Sequence, residues 1–162
     1  NWWTEEDAAA FKARTDILVE QFNKIEVLAA KGDQPAVMAD GALSLGENIA
    51  DQGGLRVSYT ALYNTFKEKG EPAPIDGFTA AQRFYLSYAT IWGQNIRDEE
   101  IARLTKVDVH SLGKNRVNAT LRNINDIKNH THTSFDNNLL LYKMIKHNML
   151  KRLKKFCFYF DN

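Results

Sequence analysis

The sequence predicts a mainly α fold, and three observations carry that prediction. Apolar residues recur at helical spacing in successive stretches, with Phe11, Leu18, Phe22 and Ile25 on one face and Leu55, Tyr59, Leu62, Tyr63 and Phe66 on another. Helix-start chemistry stands where those stretches begin, at Thr4 and at Thr79. Clusters of Gly and Pro, above all Gly70, Pro72, Pro74 and Gly77, separate them.

The first helix is expected from Thr4 to about Ile25, because Thr4 is an N-cap followed by Glu5, Glu6 and Asp7, whose charge suits a helix N-terminus. Trp2 and Trp3 precede the cap and read as ordinary core packing. Residues 26–44 lose the helical period and contain Gly32, Asp33, Pro35 and Gly41, so a loop or irregular hairpin is expected there. A second helix should run from Ser44 or Leu45 to about Lys69. Thr79-Ala80-Ala81-Gln82 is a capping box opening a third. Its rows of Phe84, Tyr88 and Ile91 and of Tyr85 and Trp92 predict a helix buried on most sides, with substrate stacking a lesser reading. A short helix follows from Asp98 to about Lys106, residues 107–113 form a loop, and Lys114 to about Arg122 form the last helix.

Within the second helix, Leu45-Gly46-Glu47-Asn48-Ile49-Ala50-Asp51-Gln52-Gly53-Gly54-Leu55 is locally unfavourable. Glu47 and Asp51 share a face, at a cost of about 0.2–0.5 kcal/mol for like charges four apart. Gly53 and Gly54 each cost about 1 kcal/mol against helix relative to Ala. A helix that keeps both penalties is expected to coordinate something and to pack closely on something. A carboxylate can ligate zinc in a site that keeps one position open. A second carboxylate one turn on can fix the tautomer of a zinc-bound histidine. A bare E-x-x-x-D is otherwise a solvated acidic face.

Composition narrows the remaining classes. The 162 residues suffice for one domain with a sizeable core, and a formal net charge of +1 gives no electrostatic reason to expect nucleic acid as a partner. No apolar run approaches the roughly 20 residues of a membrane-spanning helix, and no N-terminal signal pattern is present. Cys157 is the sole cysteine, so an intrachain disulfide is impossible. Asn1 in place of Met predicts a chain that begins inside a longer polypeptide or has been processed.

The Leu45–Leu55 string, the opening Trp2-Trp3-Thr4, Gln82-Arg83-Phe84-Tyr85 and Asp108-Val109-His110-Ser111, in this order, resemble the neprilysin and endothelin-converting-enzyme family of zinc metallopeptidases, the gluzincins. The resemblance implies the C-terminal helical half of a thermolysin-like catalytic domain. It implies Glu47 as the third zinc ligand and Asp51 as the carboxylate that orients a zinc-bound histidine. His110 and Arg116 match the family's Asp-x-His-Ser-Pro-Gly-x-x-Arg loop, where the histidine hydrogen-bonds the oxyanion and the arginine binds a substrate backbone carbonyl. Taken alone, His110 is a hydrogen-bonded or exposed histidine and Arg116 a surface charge. Two departures stand out: Leu112 replaces the usual Pro, which is expected to loosen the loop, and Ala119 replaces the usual Gly, adding a methyl at a close-packing point.

The family's H-E-x-x-H helix, which supplies two zinc-binding histidines and a general base, has no counterpart among His110, His130, His132 and His147. The expectation is therefore a fragment of a zinc metalloendopeptidase acting on peptide substrates, extracellular or periplasmic by resemblance. It needs a missing N-terminal half and one zinc ion held partly by two histidines outside this chain. The alternative is a catalytically inactive helical remnant or interaction fragment. The resemblance covers residues 1–123; residues 124–162 read as a divergent basic tail, out of frame or disordered. Leu141, Ile145, Met149, Leu153, Phe156 and Phe160 make an apolar stripe there beside many lysines, which admits contact with an anionic membrane surface as a minor reading. His130 and His132 lack further ligands and read as solvated.

Overall fold

A computed structural model describes residues 2–124. The expected tail and the boundary before it, with His130, His132 and the Leu141–Phe160 stripe, lie outside the described residues. Within them five helices and one short hairpin form the mainly α architecture that the periodicity predicts.

Helix α1 spans Glu5–Asn23 and starts where expected: the Thr4 hydroxyl accepts the Asp7 amide at 3.0 Å, with three acids in the first turn. Its second half faces the protein, with Phe22 fully buried. The first half does not. Residues 2–14 are all exposed, and the core packing expected of the tryptophans is absent, since no described element covers that end. Trp2 packs instead against Trp3 at 5.1 Å between ring centroids, and Trp3 against Phe11 at 5.2 Å.

The irregular hairpin pairs β1, Glu26–Leu28, with β2, Val37–Met38, in antiparallel register interrupted between Glu26 and Leu28. Its chain then turns into α2 through Gly41. The Gly41 amide donates to Asn23 Oδ1 at 2.7 Å, and a Cβ on Gly41 would collide with the Val19 carbonyl, so only glycine fits this crossing.

Helix α2 spans Leu45–Lys69 and ends at Gly70, whose φ of +82° closes it. Helix α3, Ala80–Ile91, opens with the full capping box: Thr79 Oγ accepts the Gln82 amide at 3.2 Å, and Gln82 Oε1 accepts the Thr79 amide at 2.9 Å. Only one side of α3 is buried, through Ala80, Ala81, Tyr85 and Ala89. Ile91 is 69% exposed, so the aromatic density did not mean burial on most sides. Helix α4, Asp98–Val107, is amphipathic with no fully buried residue. Helix α5, Gly113–Arg122, buries six residues, Val117, Ala119 and Leu121 among them.

The core joins Leu55 and Tyr59 of α2, Ala81, Tyr85 and Ala89 of α3, Val117 and Leu121 of α5, and Ile124. Burying a large apolar side chain contributes about 1.5–3 kcal/mol, so Leu55, Tyr59, Tyr85, Val117 and Leu121 carry most of the stabilisation in this cluster. Gly53 and Gly54, by contrast, would find nothing within 4 Å of an added Cβ. The close packing expected of them is absent among the described residues. Over Gly54 lies an open groove of about 330 Å³ between α2 and α3, lined by Ala50, Leu55, Ser58, Phe84 and Ile91. Its end reaches Asp51.

Candidate active site at the first turns of helix α2

The sequence separates Glu47 and Asp51 from His110 and Arg116 by about sixty residues; the fold brings the four together. Helical spacing puts Glu47 and Asp51 on one face of α2. The loop 108–112 sets His110 against Glu47, with Nε2 3.4 Å from Glu47 Oε2. Helix α5 then carries Arg116 to Asp51. Arg116 Nε donates to Asp51 Oδ2 and Nη2 to Oδ1, both at 2.7 Å. Both side chains are largely buried, at 13% and 10% exposure, whereas Glu47 is 39% exposed and has Arg116 Nη2 4.0 Å away.

Chemistry and packing support each placement. The fork of Arg116 matches both carboxylate oxygens, and the guanidinium lies over the Trp92 ring, 3.8 Å from its centroid. Hydrogen bonds to Asp51 hold the Arg116 guanidinium more firmly protonated than usual, against the opposing cost of burial. Tyr88 donates its hydroxyl to the Arg116 carbonyl at 3.2 Å. Burial pushes the Tyr88 phenol from its ordinary 10.0 up to about 12, Asp51 adding to the shift and Arg116 opposing it.

Asp108 organises the histidine. Its Oδ1 accepts the His110 amide at 2.9 Å and lies 2.7 Å from Nδ1. The backbone hydrogen bond first, and the ring second, hold the Asp108 carboxyl below the ordinary carboxylate range. A carboxylate can only accept, so the proton sits on Nδ1, and Nε2 donates only when the ring carries both protons.

Leu112 is the N-cap of α5 with φ −55°, within the range proline would impose. The loop therefore follows a path that proline would also allow. Gly113 follows, where a Cβ would lie 2.6 Å from the Trp92 carbonyl oxygen. Ala119 is 2% exposed, so its methyl does occupy a close-packing point.

Sequence reasoning did not single out Asp108, Tyr88, Asn48 or Ser111 as site residues, and it gave Trp92 to the core. Asp108 had a usable signal, an Asp two residues before a loop His, which can accept its amide. The others act through long-range contacts that no local spacing encodes.

Whether these residues suit a metal can be tested on their donors. Glu47 is partly exposed, and its contacts with His110 Nε2 at 3.4 Å and Arg116 Nη2 at 4.0 Å are long ones, so its carboxylate can still turn to a cation. Asp51 is bound on both oxygens by Arg116. Among the described residues no group of three His, Cys, Asp or Glu side chains could hold a metal ion. Glu47 thus fits as one ligand of a set, not as a site in itself.

Known proteins share this arrangement of elements. The sequence matches Peptidase family M13 over residues 1–142, past Asn123, where the readable motifs end. Human neprilysin is 36% identical over 125 residues, 76% of this chain and 16% of that protein. Endothelin-converting enzyme 1 of Cavia porcellus is 34% identical over 131 residues, 80% of this chain and 16% of that protein. The crystal structure of the Mycobacterium tuberculosis zinc metalloprotease ZMP1 in complex with an inhibitor superposes with a TM-score of 0.74 at 35% identity, covering 86% of this chain and 21% of that one. The chain therefore spans about a sixth of the length of the curated relatives it matches. With the match extending over most of its residues, the chain belongs to Peptidase family M13.

Proposed function

We propose that residues 1–123 are the C-terminal part of a zinc metalloendopeptidase catalytic domain, with Glu47 as a zinc ligand, His110 as the oxyanion donor, Arg116 as the substrate-carbonyl anchor and Asp51 as the group that orients a zinc-bound histidine. The observation that carries this reading is the convergence of Glu47, Asp51, His110 and Arg116 from two distant segments into one cluster. Peptides cleaved on the amino side of hydrophobic residues are the proposed substrates, outside the cell or in the periplasm the proposed place. No helix of the described residues is long and apolar enough to cross a membrane.

Zinc, when bound, would polarise the scissile carbonyl and lower the pKa of a bound water. The chain's own groups do the rest. When its ring carries both protons, His110 offers Nε2–H to developing negative charge, a donor worth about 2.7–4 kcal/mol of barrier in comparable sites. Arg116 spends two N–H groups on Asp51 and keeps the others for a backbone carbonyl. Asp51 has lone pairs left for an imidazole N–H, so one ion pair would link substrate grip to ligand orientation.

The absence of a three-ligand group among the described residues favours a second reading for the isolated chain, an inactive helical fragment. One experiment separates the two. Residues 1–124 are grafted in place of their counterpart in the ZMP1 metalloprotease, which is expected to give chelator-sensitive peptide hydrolysis, while the isolated chain binds no zinc at submicromolar levels. In the graft, Glu47→Gln should lose zinc, and His110→Ala should lower kcat about 10²–10³-fold with KM little changed. Retention of zinc by Glu47→Gln would overturn the ligand assignment.

A further inference from the structure

A chain of side-chain hydrogen bonds, buried at its centre, crosses from α2 to the His110 loop, and the chemistry assigned above does not use it. Ser111 Oγ donates to Asn48 Oδ1 at 2.8 Å, Asn48 Nδ2 donates to Ser44 Oγ at 3.0 Å, and Ser44 Oγ donates to the Asp40 carbonyl at 2.7 Å. Asn48 is 1% exposed and Ser44 4%. The chain has one polarity: Ser111 begins it as a donor, and Asn48 and Ser44 each accept from the member before and donate to the next. A buried primary amide is suited to such a place, since it supplies an acceptor and a donor from one planar group.

Position matters as much as satisfaction. Asn48 follows Glu47 and Ser111 follows His110, so a bond between 48 and 111 ties together the backbones that carry the two facing groups. The Glu47–His110 contact itself, at 3.4 Å and partly exposed, is too long and too wet to hold a loop in register. Asp108 fixes the His110 ring within the loop but does not fix the loop to α2. We propose that Asn48 is a positioning residue that sets the spacing between Glu47 and His110, with Ser111 and Ser44 as its two partners. Its catalytic meaning rests on the peptidase reading; its geometric meaning does not.

The test has two arms. In the full chain, NMR contacts between the His110 ring protons and the Glu47 side chain are compared in Asn48→Ala, Ser111→Ala and Ser111→Thr. The contacts should vanish in both alanine variants and persist in Ser111→Thr, which keeps the hydroxyl. In the active graft, Ser111→Ala should lower kcat about 10–100-fold, the scale of a misplacement near 1 Å, with zinc content and KM unchanged and Ser111→Thr restoring turnover. A variant that merely unfolds the region would lose zinc or raise KM as well, and threonine would not rescue it. Persistence of the His110–Glu47 contacts in both Asn48→Ala and Ser111→Ala would overturn the proposal. So would alanine variants of the graft that turn over at the parent rate. If the parent graft is inactive, the peptidase reading fails, and the NMR comparison alone decides the positioning role.

Discussion

Arg116 does three things with one side chain. It closes a two-pronged ion pair with Asp51, stacks on Trp92 and stands within reach of Glu47. Few substitutions keep more than one of these. Lysine keeps the charge but has neither the fork nor the flat face. Arg116→Ala is expected to cost about 3 kcal/mol, because it leaves a largely buried carboxylate without its partner. Arg116→Lys should recover less than half of that, and urea denaturation measures both. At this scale little was legible beforehand. Glu47, Asp51, His110 and Arg116 stood out through the strings around them, yet the pairing of Asp51 with Arg116 spans 65 positions and leaves no local trace.

Helices α3 and α5 meet where Gly113 lies under the Trp92 carbonyl. That contact seats the first turn of α5, and Arg116 lies in the same turn. Gly113→Ala is expected to destabilise by about 1–3 kcal/mol, the usual cost of overpacking. It should also lengthen the Asp51–Arg116 pair, which a crystal structure of the variant would reveal. Element positions were largely readable because their signals are local. The Thr4 cap and the Thr79–Gln82 box predicted two helix starts to the residue, and the Gly70–Gly77 cluster predicted a break. Burial was less readable. Trp2, Trp3 and Ile91 are apolar yet exposed, and Gly53 and Gly54 border open space, because what an apolar face packs against is decided by distant chain.

Across the whole molecule, α2, α3 and α5 form one core with the candidate site along its edge. Tyr88 of α3 couples the two, since its hydroxyl donates to the Arg116 carbonyl of α5 while its ring packs edge-on against Trp92 at the end of its own helix. A phenol whose folded pKa is raised from 10.0 to about 12 binds its proton more tightly folded than unfolded. The stability this contributes is complete below the unfolded value and is lost as pH rises from about 10 towards 12. Alkaline unfolding should begin in that window. Tyr88→Phe should flatten the loss, and phenolate absorbance followed together with circular dichroism checks it.

The exposure of Glu47 beside two satisfied ion pairs has an electrostatic outcome. Asp51 is cancelled by Arg116, and Asp108 by the ring of His110 once that ring is protonated. The balance at the mouth of the cluster is then a single negative charge on Glu47. If Glu47 takes the ligand role proposed above, a dication held there beside neutral ligands would keep one unit of positive charge at the mouth of the cluster.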